Sequence, residues 1–204
     1  MIRIDNEYER VGVLVSGGTA SALLLHQVAK DAKILNKRLI AVTLVINNLE
    51  SIETYARKVV IECMRKHDII IEHIVHRVDE SETYIDEYET SNFKEITGVL
   101  KYDNNIDVYY DGTHMTDERM PEIVNAEEAF IPKEQPEEAT GTVFPYKDLT
   151  NVDIALNYER EGLIDSLFPL TFSCDSSATY TKDFTQHCIQ CWDCKERYWA
   201  FKKF

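Results

Sequence analysis

Two short stretches of this chain carry residue types from which chemistry can be built. Near the start, Ser16-Gly17-Gly18-Thr19-Ala20-Ser21 sets two adjacent glycines among three hydroxyls. A main chain without side chains at two consecutive positions can close on a ligand. Flanking hydroxyls add donors, and a helix beginning just beyond presents its partial positive end. Together these properties suit a phosphate; the plainer alternative is an ordinary Gly-Gly turn between a strand and a helix. No lysine follows the glycines as in the G-x-x-x-x-G-K-[ST] cradle, and no third glycine completes G-x-G-x-x-G.

The second stretch lies at the other end. Cys174, Cys188, Cys191 and Cys194 account for four of the five cysteines. The run Cys188-Ile189-Gln190-Cys191-Trp192-Asp193-Cys194 repeats a thiol every third residue, so one tight turn can present three of them to a common centre while Cys174 arrives from a neighbouring loop. Four thiolates satisfy a tetrahedral Zn²⁺ with no position left open, which makes a structural site. An iron–sulfur cluster, disulfides and free thiols are the alternatives. His187 adjoins the set as a substitute ligand. Cys63 lies on an apolar helical face and reads as packing, and the remaining histidines show no ligand spacing.

The elements that must hold these stretches follow from periodicity. Val11 to Val15 is a short apolar run feeding the glycine turn and then the leucine-rich helical pattern Ala22 to Lys30. Arg38 to Ile46 predicts a second buried strand, Ser51 to Lys66 a helix, Ile69 to Val75 a third strand, Tyr84 to Leu100 a helix and Ile106 to Tyr110 a fourth strand. Strands alternating with helices predict a parallel, Rossmann-like α/β sheet covered on both faces. Ligands of such sheets bind beyond the carboxyl ends of the strands. That rim would be shared by the glycine loop, the end of the second strand around Leu44, and Asp111-Gly112-Thr113-His114. Asp117 to Thr142 turns acidic and proline-punctuated and reads as a long loop. Asn151 to Glu161 reads as a short amphipathic helix capped by Thr150 or Asn151.

Composition narrows the function. The chain has 204 residues, 44% hydrophobic and 28% charged, with a formal net charge of −14. That balance suits a globular protein and disfavours duplex nucleic acid, whose backbone demands clustered cations. No apolar run approaches the roughly 18 residues that cross a bilayer. The first residues lack the pattern of a signal peptide, so a cytoplasmic protein is expected.

The loop resembles the S-G-G-x-D-S loop of the PP-loop ATP pyrophosphatases. Combined with the thiol cluster, the chain resembles the 7-cyano-7-deazaguanine synthase family of the queuosine pathway. Phe144 to Ile154 is similar to that family's segment of aromatic, proline and L-[TS]-K-x-E, Pro169 to Cys174 to P-L-x-x-T-[WF]-S-C, and Cys188 to Arg197 to C-x-x-C-x-x-C-x-x-R. The resemblance implies an ATP pyrophosphatase domain over residues 1–166 with a zinc-binding segment, 167–204, packed on it. It also implies ATP with Mg²⁺, structural zinc, a small-molecule carboxylate that is adenylated and joined to ammonia as amide or nitrile, and a homodimer.

Ser16, Gly17, Gly18, Thr19, Ser21, Leu44, Gly112 and Lys147 then form the candidate ATP-binding set. Asp111, His114 and Asp117 are candidates for magnesium or substrate, and Cys174, Cys188, Cys191 and Cys194 for the metal. Ala20 replaces the family's loop aspartate and Asn151 its lysine, and no residue is assigned to catalysis. Two other functions fit these residues: a catalytically degenerate protein that binds a nucleotide or modified base, and a PP-loop enzyme that activates a tRNA base for thiolation.

Overall fold

The computed structural model describes residues 2–45, 50–78, 89–117, 120, 141–174 and 178–203. Five parallel strands, β1 (Arg10–Leu14), β2 (Arg38–Val45), β3 (Ile71–Arg77), β4 (Val108–Tyr110) and β5 (Thr142–Val143), lie in the order β3-β2-β1-β4-β5. The helices are α1 (Thr19–Leu35), α2 (Glu50–His67), α3 (Glu89–Asp103), α4 (Asn151–Arg160), α5 (Ala178–Thr181) and α6 (Trp192–Phe201), with a 3₁₀ turn at Phe168–Leu170.

Strand alternation sorts the core into two layers. Val11, Val13, Leu39, Ala41, Val108 and Tyr110 face one side, where they meet the fully buried Leu23, Leu24 and Leu25 of α1, the Val59 face of α2 and Ile154 of α4. Ile40, Val42 and Tyr109 face the other and pack on Leu100, with Ile96 at the margin. Helices therefore cover both faces, and the central strands β1 and β2 are mostly buried apolar runs, whereas the edge strand β3 carries Glu72, His73, His76 and Arg77. Phe168 and Phe201, from the C-terminal segment, belong to the same cluster as α1.

Three expected elements are displaced. The third strand begins at Ile71 rather than Ile69, because Asp68 adopts a positive φ of 48° and the Ile69 N–H donates to Met64 O, which closes α2. The third helix is described from Glu89 to Asp103, and Tyr84 to Tyr88 fall outside the described residues. Most of the Asp117–Thr142 loop also lies outside them. Within its end, Thr142 and Val143 form β5, a two-residue strand too short to show a period.

Strand order reverses between β1 and β4, since β1 continues through α1 to β2 on one side while β4 lies on the other. A crevice at the carboxyl ends of these two strands is the site that such a topology makes available.

Candidate nucleotide cleft and metal centre

β1 runs into a turn whose shape is dictated residue by residue. Gly17 adopts φ +82°, and a Cβ there would stand 2.8 Å from Ala56 N and 2.8 Å from Tyr55 Cβ, so only glycine fits. Gly18 has an ordinary φ of −75°, and its Cβ would meet nothing closer than Ser16 Oγ at 3.5 Å. The protein itself gives no reason for glycine at 18; open space above the main chain does.

Gly18 is the N-cap of α1, and no side chain caps the helix. The N–H groups of its first turn have no intrahelical acceptor, and they carry the positive end of the helix dipole. Ser16 and Ser21 organise the turn instead. Their hydroxyls lie 3.2 Å apart, Ser21 Oγ accepts from Ser16 N at 3.3 Å and donates to Gly18 O at 3.2 Å, and Gly18 N donates to Ser16 Oγ at 3.4 Å.

Distant segments brace this turn. The buried Tyr158 hydroxyl of α4 donates to Thr19 O at 2.8 Å, Phe172 N donates to Gly17 O at 2.9 Å, and Thr43 Oγ1 donates to Val15 O at 2.8 Å. The turn is thereby anchored from three segments, and Gly18, Thr19, Ala20 and Ser21, at the start of α1, face a cleft.

Above it opens a cleft of about 570 Å³, within the range of small-molecule sites. Ser16, Gly18, Thr19, Ser21, Leu44, Asp111, Gly112, His114 and Cys174 line it. Gly17 shapes the turn from behind. Lys147 is exposed on the turn that follows β5, Asp117 is buried, and neither is among the cleft's lining residues. Asp111 Oδ1 accepts from the N–H and the hydroxyl of Thr113, both at 2.8 Å, and His114 Nδ1 lies 3.2 Å from Gly112 O.

Asn151, which stands at the position of the family's lysine, lines the cleft, and so do three residues that the sequence did not assign to it: Ser173, Glu196 and Arg197. Asn151, 6% exposed, has an Oδ1 without a hydrogen-bond partner. Arg197, 3% exposed, donates from Nη1 to Thr171 Oγ1 at 2.8 Å and Ser173 Oγ at 3.3 Å, and from Nη2 to Phe168 O at 3.2 Å. Its guanidinium carbon stands 4.0 Å over the Phe168 ring. Burial pulls its pKa down to about 10, which leaves it charged at neutral pH. The only sequence cue to Arg197 was its place three residues after Cys194.

The four cysteines converge beside this cleft, with all four sulfurs within 4.8 Å of one another. Cys188 Sγ and Cys194 Sγ are 3.8 Å apart, as are Cys191 Sγ and Cys174 Sγ. Four thiolates about 2.3 Å from one ion stand roughly 3.8 Å apart, so this set fits a single tetrahedral metal. Backbone N–H groups point at the sulfurs: Gln190 and Cys191 donate to Cys188 at 3.4 and 3.2 Å, and Cys194 donates to Cys191 at 3.4 Å. Such bonds favour the thiolate over the thiol.

Around the sulfurs, Tyr55 stacks on Phe172 at 4.7 Å and Phe172 meets the His187 ring at 4.6 Å, which makes a small apolar shell. Without a cation at the centre, burial pushes the Cys194 thiol up to about 12. Cys63 is buried apart from the cluster, and burial raises its thiol to about 12 as well, so it is inert packing.

No family sequence profile matches the chain, and no curated protein matches it by sequence. Among solved structures, the chain is similar to the U34-tRNA thiolase NcsA from Methanococcus maripaludis, described with its [4Fe-4S] cluster. The likeness has a TM-score of 0.53 at 15% identity and covers 96% of this chain and 71% of the thiolase. A universal stress protein family member from Burkholderia pseudomallei matches with a TM-score of 0.41 at 16% identity, over 52% of this chain and 83% of its own. The parallel sheet and the likeness to the thiolase give this chain an adenine nucleotide alpha hydrolase-like α/β fold, with a C-terminal four-cysteine cluster able to hold a metal.

Proposed function

We propose that this protein is an ATP-dependent enzyme of the pyrophosphatase kind that adenylates a 7-deazapurine-type carboxylate and joins it to ammonia, giving an amide or a nitrile. The carrying observation is the uncapped N-terminus of α1, opening on a cleft that is also lined by a buried guanidinium. The β- and γ-phosphates sit over Gly18, Thr19 and Ser21. A carboxylate oxygen of the acceptor bonds to the α-phosphorus as the bond to the bridging oxygen breaks, and pyrophosphate departs with that electron pair. The charge that builds on it falls on the helix N-terminus and the Ser16 and Ser21 hydroxyls. Ammonia then attacks the acyl carbon, AMP leaves with the C–O pair, and the excess proton passes to solvent, which gives the amide. For the nitrile, the amide oxygen attacks a second ATP in the same way, pyrophosphate leaves, and departure of AMP with the C–O pair and loss of two protons form the carbon–nitrogen triple bond. Asp111, engaged at Oδ1, would hold a magnesium ion through Oδ2, and the ion would supply positive charge against the phosphates.

Structural zinc is proposed for the cysteine cluster. The sulfur separations suit one ion, whereas a multi-iron cluster places each thiolate on a different iron and spreads them further apart. Purified protein incubated with ATP, magnesium, ammonium and 7-carboxy-7-deazaguanine is expected to release AMP. Turnover no greater than that of a Ser16→Ala control refutes the proposal.

Two further readings have an observation each. Ala20 and Asn151 leave the loop without its acid and the facing helix without its base, which favours a binding protein without turnover. Calorimetric binding of ATP with no AMP formed, and activity gained by Ala20→Asp with Asn151→Lys, would support it. Activation of a tRNA base for thiolation is favoured by the likeness to the thiolase and by Cys174 in the cleft wall. The net charge of −14 weighs against it, and iron with acid-labile sulfide in the purified protein would revive it.

A further inference from the structure

Arg197 is the least explained charge among the described residues. It is 3% exposed, and no described carboxylate lies within 4.0 Å of it. Its partners are two hydroxyls, one carbonyl and an aromatic face, all neutral. A guanidinium has five N–H donors; three hydrogen bonds are made, and Nε has no partner. Burying a cation whose direct partners are all neutral is expensive; the acidic groups of Tyr158, Cys194 and Tyr55 act on it from further off, and an anion that enters the site recovers the rest of the cost. Such an anion also meets Asp111, Asp193 and Glu196, which line the same cleft, so only one aligned with the guanidinium is favoured.

We propose that Arg197 and Ser173 form the receptor for the acceptor's carboxylate, next to the loop that takes the phosphates; this deepens the adenylation reading and rests on it. Position decides between carboxylate and phosphate. Phosphates have their own donors at the start of α1. Ser173 Oγ accepts from Arg197 and lies 4.0 Å from where a Cβ on Gly18 would stand, so the two anion sites are neighbours and share Ser173 as their boundary. A carboxylate held there lies beside a triphosphate whose β- and γ-phosphates are anchored at Gly18, within reach of its α-phosphorus. Arg197 offsets the repulsion between the two anions and fixes the attacking oxygen by a planar, two-pronged contact. Arg197 exchanges no proton in this step; it binds and orients.

The test measures binding of three probes to the full chain: indole-3-carboxylate, the matching carboxamide, and α,β-methylene-ATP. Wild type is expected to prefer the carboxylate to the carboxamide. Arg197→Lys should weaken the carboxylate at least about tenfold, because an ammonium cannot reproduce the fork. The nucleotide should stay within about twofold, with the metal content unchanged. Ser173→Ala, a smaller change on a half-buried side chain, should weaken the carboxylate about threefold, and it decides the matter if Arg197→Lys does not fold.

The proposal is overturned if wild type shows no preference for the carboxylate, or if either variant weakens only the nucleotide, which would make the pair a phosphate clamp. It is equally overturned if Arg197→Lys loses metal while both ligands still bind, since Arg197 would then be the counter-charge of the thiolates. Failure of wild type to bind the nucleotide sinks the adenylation reading instead. A carboxylate preference abolished by Arg197→Lys would leave the receptor standing in that case.

Discussion

Two helices of this protein start from turns that gather backbone donors, and they dispose of those donors in opposite ways. At α6 the chain supplies its own anions: Cys191 Sγ accepts the Cys194 N–H, and Cys188 Sγ accepts those of Gln190 and Cys191. At α1 the cap is Gly18, with no side chain to accept anything. A helix start whose acceptors are covalently part of the chain is complete once folded. One whose donors are left bare is stable only at some cost, and that cost is recovered by a ligand. The first turn is architecture, and the second is where function is built.

The largest effect should come from emptying the completed turn. Cys194→Ser, or prolonged chelation of wild type, is expected to bring metal content from one ion per chain to near zero and to lower the melting temperature by more than 10 °C, since the binding energy of a structural ion is folding energy. Retention of the ion or of the melting temperature would break the contrast.

Next in size is Gly17→Ala. The new Cβ meets backbone at 2.8 Å in a left-handed conformation, and a loss of about 2–4 kcal/mol in denaturant-unfolding free energy is expected. Its neighbour behaves differently. Gly18→Asp gives α1 the internal anion that α6 already has, so stability should change by less than about 1 kcal/mol, in the favourable direction. Affinity for ATP should meanwhile fall at least about tenfold. If Gly18→Asp left nucleotide affinity untouched, the bare donors of α1 would have no ligand to account for them.

Acid sharpens the comparison through the scaffold behind α1. His26, 3% exposed, has Nδ1 2.9 Å from His67 Nε2 and Nε2 3.2 Å from Glu161. Burial, then the charge of His67, lowers its pKa from 6.5 to about 4. The unfolded chain therefore binds a proton at this residue that the fold refuses, and stability should fall as the pH drops from about 6.5 to about 4. His187, beside the cysteines, is lowered to about 4 by burial and adds to the same slope. His26→Gln should flatten only part of it in pH-dependent unfolding. The smallest effect is expected at α4, where the Thr150 hydroxyl accepts the Asp153 N–H in a capping box; Thr150→Ala should cost about 1 kcal/mol and leave both turns intact.

Particular residues show what was readable in advance. The apolar run at Val11, the glycine pair, the leucines of α1 and the triplet spacing of the cysteines each state their structure within a dozen positions, because turn and helix geometry is local. β5 was unreadable, since two residues have no periodicity. Lys147 and Arg197 mark the boundary from both sides. Proximity to a similar motif suggested that Lys147 reaches the phosphates, whereas the turn leaves it exposed. Arg197 reaches the cleft because Phe172 N anchors the 168–174 segment to Gly17 O and α6 packs against α4.

By itself, the order of residues determined that this chain would make a parallel sheet with a donor-rich turn after its first strand, and that four thiols near its end could share one ion. Those outcomes depend on contacts between near neighbours in the chain and on hydrophobic period. Only the tertiary structure decided that the four sulfurs lie against the cleft and that Asn151, Ser173 and Arg197 complete its wall. Their meeting depends on side chains more than a hundred residues apart from the glycine turn, brought to it by the shared burial of Tyr158, Phe168 and Phe201 around α1.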